Sequence, residues 1–322
     1  MTAFDTTSVA LSRHLRAQQV ADGAFRGITF FCAALVLVTL VAILGSLAWG
    51  SLPALRAFHF SFFTRDVWNP VTEEFGAVAA IYGTLVTSTI AILLGVPVSF
   101  GIALFLTELA PSWLRRPIGT AIELLAAIPS IIYGMWGLFV FAPYFAEHFQ
   151  PWMTANLGDL PFIGALFQGP PLGIGMFTAG VILAVMIIPF ISAIMRDVFF
   201  TVPAVMRESA YSIGATTWEV VWNVVLPYTR TSVIGAIMLG LGRALGETMA
   251  VTFVIGNAHH VSASLFMPGA TISSTVANEF TEAVGDLYYS SLIALGLALF
   301  VVTIVVLALA KLMLRQLDYR LR

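Results

Sequence analysis

Six stretches of this chain, roughly residues 28–49, 76–107, 117–142, 173–195, 228–256 and 286–314, are predominantly apolar. Each is about as long as the 20 residues that a helix needs to cross a hydrocarbon layer of roughly 30 Å. In that solvent every backbone N–H and C=O must be satisfied internally, which leaves helices or closed barrels. The alternating pattern of barrel strands is absent, so the chain is expected to be an all-α membrane protein with six transmembrane helices. Only 10% of its 322 residues are charged, against roughly 25% in soluble domains. The net charge of −2 gives nucleic acid nothing to hold. The second stretch is long for one span, implying tilt or a short interfacial start before Tyr82. The first exceeds the apolar core of about 7–15 residues in a cleaved signal and reads as a retained anchor behind a polar arm, 1–27. Cys32, the only cysteine, lies within it, so neither an intrachain disulfide nor a cysteine metal cluster is expected.

Basic residues orient the spans. Arg13, Arg16 and Arg26 precede the first, Arg115 and Arg116 separate the second and third, and Arg196, Arg207 and Arg230 flank the connection between the fourth and fifth. Lys311, Arg315, Arg320 and Arg322 close the chain, whereas 143–172 and 257–285 carry no Lys or Arg. Both termini are therefore expected in the cytoplasm, with only Arg56 and Arg65 against the pattern. On the opposite side, aromatic segment 50–75 is expected to hold a short interfacial helix, and Pro- and Gly-rich 143–172 to be irregular. His259 and His260 are adjacent on an irregular loop, so no metal site is assigned to them.

The connection 196–227 carries helix punctuation. Pro203 suits a first helical turn, Gly214 a helix end, and Thr216 with Glu219 a capping box that opens a second helix through Trp218 and Trp222, ended by Pro227. Glu208-Ser209-Ala210, then Gly214, then Val224-Val225-Leu226-Pro227 resembles the EAA loop of ABC-importer permeases, with Ser209 for alanine and Val224 for isoleucine. That resemblance implies a coupling helix inserted into a separate ATPase subunit, with Glu208, Ser209, Ala210, Gly214, Leu226 and Pro227 at the contact. The chain itself has no P-loop: its only lysine, Lys311, is followed by Leu312 rather than by Ser or Thr.

Ionisable residues inside a span are functional candidates, because each costs at least about 2.5–3.5 kcal/mol to insert. Arg243 and Glu247 stand at i and i+4 in the fifth span, expected on one helical face. Arg243 is about 15 residues from the cytoplasmic end, roughly 22 Å along a helix. Its guanidinium can fork onto two oxygens of a tetrahedral oxyanion. Two roles are open to Glu247. It either neutralises Arg243 in the absence of substrate, or accepts a hydrogen bond from the proton that phosphate, unlike sulfate, retains near neutral pH. Glu123 in the third span is a further candidate. Thr84 and Ser88 share a face in the second and are candidate donors, although such hydroxyls commonly bond a carbonyl of their own helix. Pro97, Pro129 and Pro189 are expected to interrupt spans.

The segment from Gly242 to Val251, with Trp68-Asn69-Pro70, Phe75-Gly76, Tyr82-Gly83-Thr84-Leu85, Ile122-Glu123-Leu124-Leu125, Ile128-Pro129-Ser130 and Tyr133-Gly134, closely resembles the PstC type of phosphate-specific ABC permease. The resemblance implies a type I importer of MetI-like architecture working by alternating access. Its implied partners are a homologous permease of PstA type, two ATPase subunits that use Mg-ATP, and an extracytoplasmic phosphate-binding protein. No cofactor is expected on this chain. The implied division is an arm 1–27, a first span 28–49, an external segment 50–75, a permease core 76–314 containing the coupling loop 203–227, and a tail 315–322. A secondary transporter, a membrane signalling subunit, and a permease for sulfate, molybdate or tungstate are the competing readings.

Overall fold

The computed structural model describes the backbone of residues 4–161 and 163–320 and the side chains of 22–161 and 163–312. Two compact units result, residues 1–50 and 51–322. The first is a single helix, α1 (Phe4–Gly50), in which polar arm and apolar run are continuous. From Ile28 onward it is apolar on every side, as a span in lipid must be.

The second unit begins with α2 (Leu52–Phe58) and a 3₁₀ turn, His59–Phe63. A two-residue hairpin follows, β1 (Trp68–Asn69) against β2 (Glu74–Phe75), with Trp68 opposite Phe75. Next come α3 (Val78–Leu109), α4 (Ser112–Ala126), α5 (Ser130–Leu157) and α6 (Met176–Phe200). Then follow α7 (Ala204–Ser212), α8 (Thr217–Leu245), α9 (Met249–Val254), α10 (Ile272–Glu279) and α11 (Asp286–Arg320).

The centre of the packing is α6, where Leu183, Ile187, Ile191 and Met195 are wholly buried between α3 and α8. Lipid tails are as apolar as leucine, so such helices are held by close packing and interhelical hydrogen bonds rather than by water exclusion. One such bond runs from Ser99 Oγ in α3 to the Ile188 carbonyl in α6, 3.2 Å. A second cluster docks the start of the unit: Phe62, Phe75, Ile272 and Leu295 are buried together, and the Ala54 N–H donates to Ser290 Oγ of α11. The aromatic segment 50–75 is thus divided, with Phe62 turned inward and Phe60 outward.

The prolines behave differently from the sequence expectation. Of Pro97, Pro129 and Pro189, only Pro129 ends a helix: α4 and α5 meet there at 88°, whereas Pro97 and Pro189 lie inside continuous helices. The third span is therefore a bent pair rather than one rod. Pro143, Pro151 and Pro227 each follow a π turn, at Gly137–Phe141, Phe145–Phe149 and Val221–Val225. A proline leaves the carbonyl four residues earlier without its donor. The wider i→i+5 bonds run from Ala142, Gln150 and Leu226, just before each proline, to the carbonyls of Gly137, Phe145 and Val221, and the helix continues past the missing donor. Pro227 accordingly does not stop α8, and helix persists to Leu157 where an irregular segment was expected from residue 143.

Candidate functional site

The fifth span does not run unbroken past Arg243. Helix α8 ends at Leu245, residues 246–248 are not helical, and α9 restarts at Met249. Arg243 thus occupies the last turn of one half-helix, where the unsatisfied carbonyls favour a cation by about 0.3–1 kcal/mol. Glu247 lies in the break and accepts from the Ala250 N–H through Oε1, 3.3 Å, tying the carboxylate to the N-terminus of the next half-helix. The expected i, i+4 pairing on one face is therefore overturned. Ion pairs form at Arg196, Arg207 and His259, and among the described residues none involves Arg243 or Glu247. Arg243 instead lays its guanidinium over the ring of Phe190 in α6, 5.1 Å from the centroid.

A second break adjoins this one. Tyr133, in the first turn of α5, lies within electrostatic reach of Arg243. Its hydroxyl donates to the Leu125 carbonyl at 2.9 Å, bridging the bend at Pro129. Gly134 lets α5 and α9 touch backbone to backbone: a Cβ there would sit 2.9 Å from Cα of Ala250. Two broken helices thus converge beside one unpaired guanidinium. Broken helices in membranes are tolerated where they line a cavity or are buried in protein, and half-helix ends commonly form the sites of transporters.

Glu123 is not part of this group. Its carboxylate receives Arg196 Nη2 at 2.6 Å, and Arg196 is shared with Asp197 at 2.8 Å. The three belong to a cleft of about 410 Å³ with Arg115, Arg116 and Thr120. Arg196 is six residues beyond Phe190 on α6, roughly 9 Å along the helix. Thr84 and Ser88 also leave the candidate list. Both are buried; Thr84 Oγ1 donates to the Ala80 carbonyl and accepts the Ile272 N–H, and Ser88 Oγ donates to the Thr84 carbonyl. Thr84 thereby anchors the start of α10.

The segment 203–227 folds as its punctuation implies up to Pro227. Helix α7 is followed by Gly214 at φ +89°, where a side chain would be strained. Thr216 and Glu219 complete the capping box. Glu208, Ser209 and Gly214 are exposed, Ala210 and Leu226 half-buried. Around them Val205, Ile213, Trp218 and Trp222 are also exposed, an apolar rim on a polar end.

Phe190 and Tyr133 were not singled out as neighbours of Arg243, although Tyr133-Gly134 stood within a recognised segment. Also unanticipated is a cluster around Glu279 at the end of α10. Its Oε2 accepts from Trp68 Nε1 and, at 2.7 Å, from the Tyr288 hydroxyl, while Oε1 faces His259 Nε2 at 2.7 Å. Burial pushes the Glu279 carboxyl up, and the bonds from His259, Tyr288 and Trp68 outweigh it, leaving the group below the usual carboxylate range.

Comparison with known proteins places this geometry. The family model described as "Binding-protein-dependent transport system inner membrane component" matches residues 95–322. The chain is 60% identical over 294 residues to the phosphate transport system permease protein PstC of Pasteurella multocida, covering 91% of this chain and 92% of that one. It is 61% identical over 299 residues to the protein of the same name from Mesorhizobium japonicum, covering 93% and 91%. A probable PstC of Methanocaldococcus jannaschii is 37% identical over 288 residues, covering 88% and 90%. Among solved structures, a bacterial ABC transporter involved in import of the acidic polysaccharide alginate aligns with TM-score 0.57 at 18% identity, covering 89% of this chain and 96% of that one. An inward-facing methionine ABC transporter, MetNI, aligns at 0.52 and 15%, covering 80% and 100%. The fold is that of a multi-pass ABC-importer permease of MetI-like kind. The chain belongs to the binding-protein-dependent transport system inner membrane components, in their PstC branch.

Proposed function

We propose that this chain is a permease subunit carrying inorganic phosphate across the bacterial inner membrane, with the Arg243 guanidinium as the oxyanion ligand. The observation that supports it most is a cation at the end of a broken membrane helix, stacked on a ring and free of any carboxylate. Stacking occupies the guanidinium face and leaves its in-plane N–H groups for a tetrahedral anion. Glu247, close in sequence and tied to α9, is suited to accept a hydrogen bond from the proton that hydrogenphosphate retains. Among the described residues it forms no ion pair with Arg243, so selectivity between phosphate and sulfate tests that hydrogen-bonding role.

The remaining assignments follow from the same reading. Both termini lie in the cytoplasm, and Glu208, Ser209, Ala210, Gly214, Leu226 and Pro227 belong to the ATPase contact. The complete importer contains a homologous PstA-type permease, two ATPase subunits that bind Mg-ATP, and an extracytoplasmic phosphate-binding protein. This chain binds no cofactor of its own. Alternating access then exposes the Arg243 region outward when ATP closes the ATPase pair and inward after hydrolysis.

The test is uptake of labelled phosphate by the purified complex in proteoliposomes. Uptake that requires ATP and the binding protein, and that excess sulfate leaves intact, is the expected result. Uptake that follows a proton gradient and ignores ATP overturns the class. Preferential uptake of sulfate, molybdate or tungstate overturns the cargo.

A further inference from the structure

The last five residues of α3, Phe105–Leu109, form a π turn that carries a carboxylate into the protein. The Glu108 side chain is only 5% exposed. Facing it is Arg207 of α7, 18% exposed, with Nη2 3.3 Å from Glu108 Oε1. The same Nη2 donates to the Phe199 carbonyl at the end of α6, 2.5 Å. One guanidinium therefore joins α7 to the ends of both helices at the centre of the fold, while its neighbour Glu208 points outward.

The pair is incompletely made. Glu108 Oε1 and Arg207 Nε are both buried without a hydrogen-bond partner, although a guanidinium and a carboxylate can form two parallel bonds. Buried charges short of hydrogen bonds are costly, so the energy of this pair is sensitive to small shifts of α7. A cleft of about 360 Å³ opens beside Glu108, between Leu104 and Phe105 of α3 and Thr217, Trp218 and Val221 of α8.

We propose that Glu108 and Arg207 are the positioning pair through which movement of α7 is transmitted to α3 and α6, and so to the Arg243 site. The proposal rests on the reading of α7 as the ATPase-coupling helix. Loss of the pair leaves ATP hydrolysis running while substrate movement lags behind it.

The test uses the complete reconstituted importer, with ATP hydrolysis and phosphate uptake measured in the same vesicles. Glu108→Gln and Arg207→Gln are each expected to lower phosphate moved per ATP about tenfold, within the range of known site-to-site couplings, with hydrolysis near the parent rate. The double exchange Glu108→Arg with Arg207→Glu is expected to recover part of the ratio, because the ion pair is restored while the bond to the Phe199 carbonyl is not. An unchanged ratio in both single variants overturns the proposal. So does a fall in uptake and hydrolysis in equal proportion with a lowered melting temperature, because that marks a packing role only. A parent complex that hydrolyses ATP but moves another oxyanion sinks the phosphate assignment alone, and the same ratio is then read with that anion.

Discussion

Arg243 has what a lysine there would lack: a planar cation that stacks on Phe190 and keeps directed donors at its edge. Arg243→Lys preserves the charge and removes the fork. A hydrogen bond to a charged group contributes about 1.5–3 kcal/mol, so phosphate uptake is expected to fall roughly tenfold to a hundredfold. Co-purification with the ATPase should be unchanged, and uptake at the parent rate would remove Arg243 from the path. Glu247→Gln is the sharper probe, since a glutamine oxygen still accepts the Ala250 N–H. If the carboxylate reads the phosphate proton, sulfate should compete better against uptake in this variant; unaltered selectivity leaves Glu247 only as a helix cap on Ala250. Both residues were legible in the sequence, because a charge within an apolar run costs too much to be incidental. Their surroundings were not. Phe190 meets Arg243 from α6, and spacing within one segment says nothing about which ring another helix presents. Thr84 and Ser88 show the same limit from the other side: their sequence positions suit either a donor to substrate or a bond to the preceding turn, and packing chose the latter.

Breaks and hydrogen-bond detours decide what the elements can do. The six apolar runs were legible from length and composition, but the interruption at Gly246–Thr248 was not, because no proline marks it and apolar residues resume at once. The opposite error arose at Pro97 and Pro189, where strong proline signals fell inside helices that packing keeps intact. Punctuation worked best where the local chemistry is self-contained, as in the Thr216–Glu219 capping box. The Glu279 cluster joins elements far apart in sequence, namely β1, the segment after α9, α10 and α11, and carries a pH dependence. The Glu279 carboxyl is held below its ordinary range, so its contribution is present above the unfolded carboxylate value of about 4.3. It is lost as pH falls through the folded value. Amide hydrogen exchange over residues 68–75 should therefore quicken as pH is lowered from neutral into that acidic range, after correction for intrinsic exchange. Glu279→Gln should exchange faster at neutral pH and show a flattened pH response. A parent profile that stays flat would mean that the aromatic packing of Trp68, Phe75 and Tyr288 holds the hairpin without the carboxylate.

At the scale of the whole molecule, two broken helices of the second unit meet near Arg243, where alternating access, as proposed, would open to either face. Helices α3 and α6 are continuous and closely packed, and α7 is tied to their ends, whereas α4–α5 and α8–α9 are each interrupted beside Arg243. On the proposed function, the continuous helices would transmit movement and the interrupted ones near the cation would form the passage. The chain's single cysteine, Cys32, makes this division testable. In a Cys32→Ser background, Gly246→Cys places one thiol in the break, at an exposed position whose φ of −95° suits any residue. A membrane-impermeant maleimide added outside should label it several-fold faster when the complete importer is trapped with its ATPase sites closed. Added inside, the same reagent should prefer the nucleotide-free state. Because a ligand or trapped nucleotide shifts conformations only through differential affinity, reciprocal labelling would show that the ATPase sites and this break share one two-state equilibrium. Labelling indifferent to nucleotide on both sides would place the break outside the moving path, and Arg243 would then be a fixed structural cation.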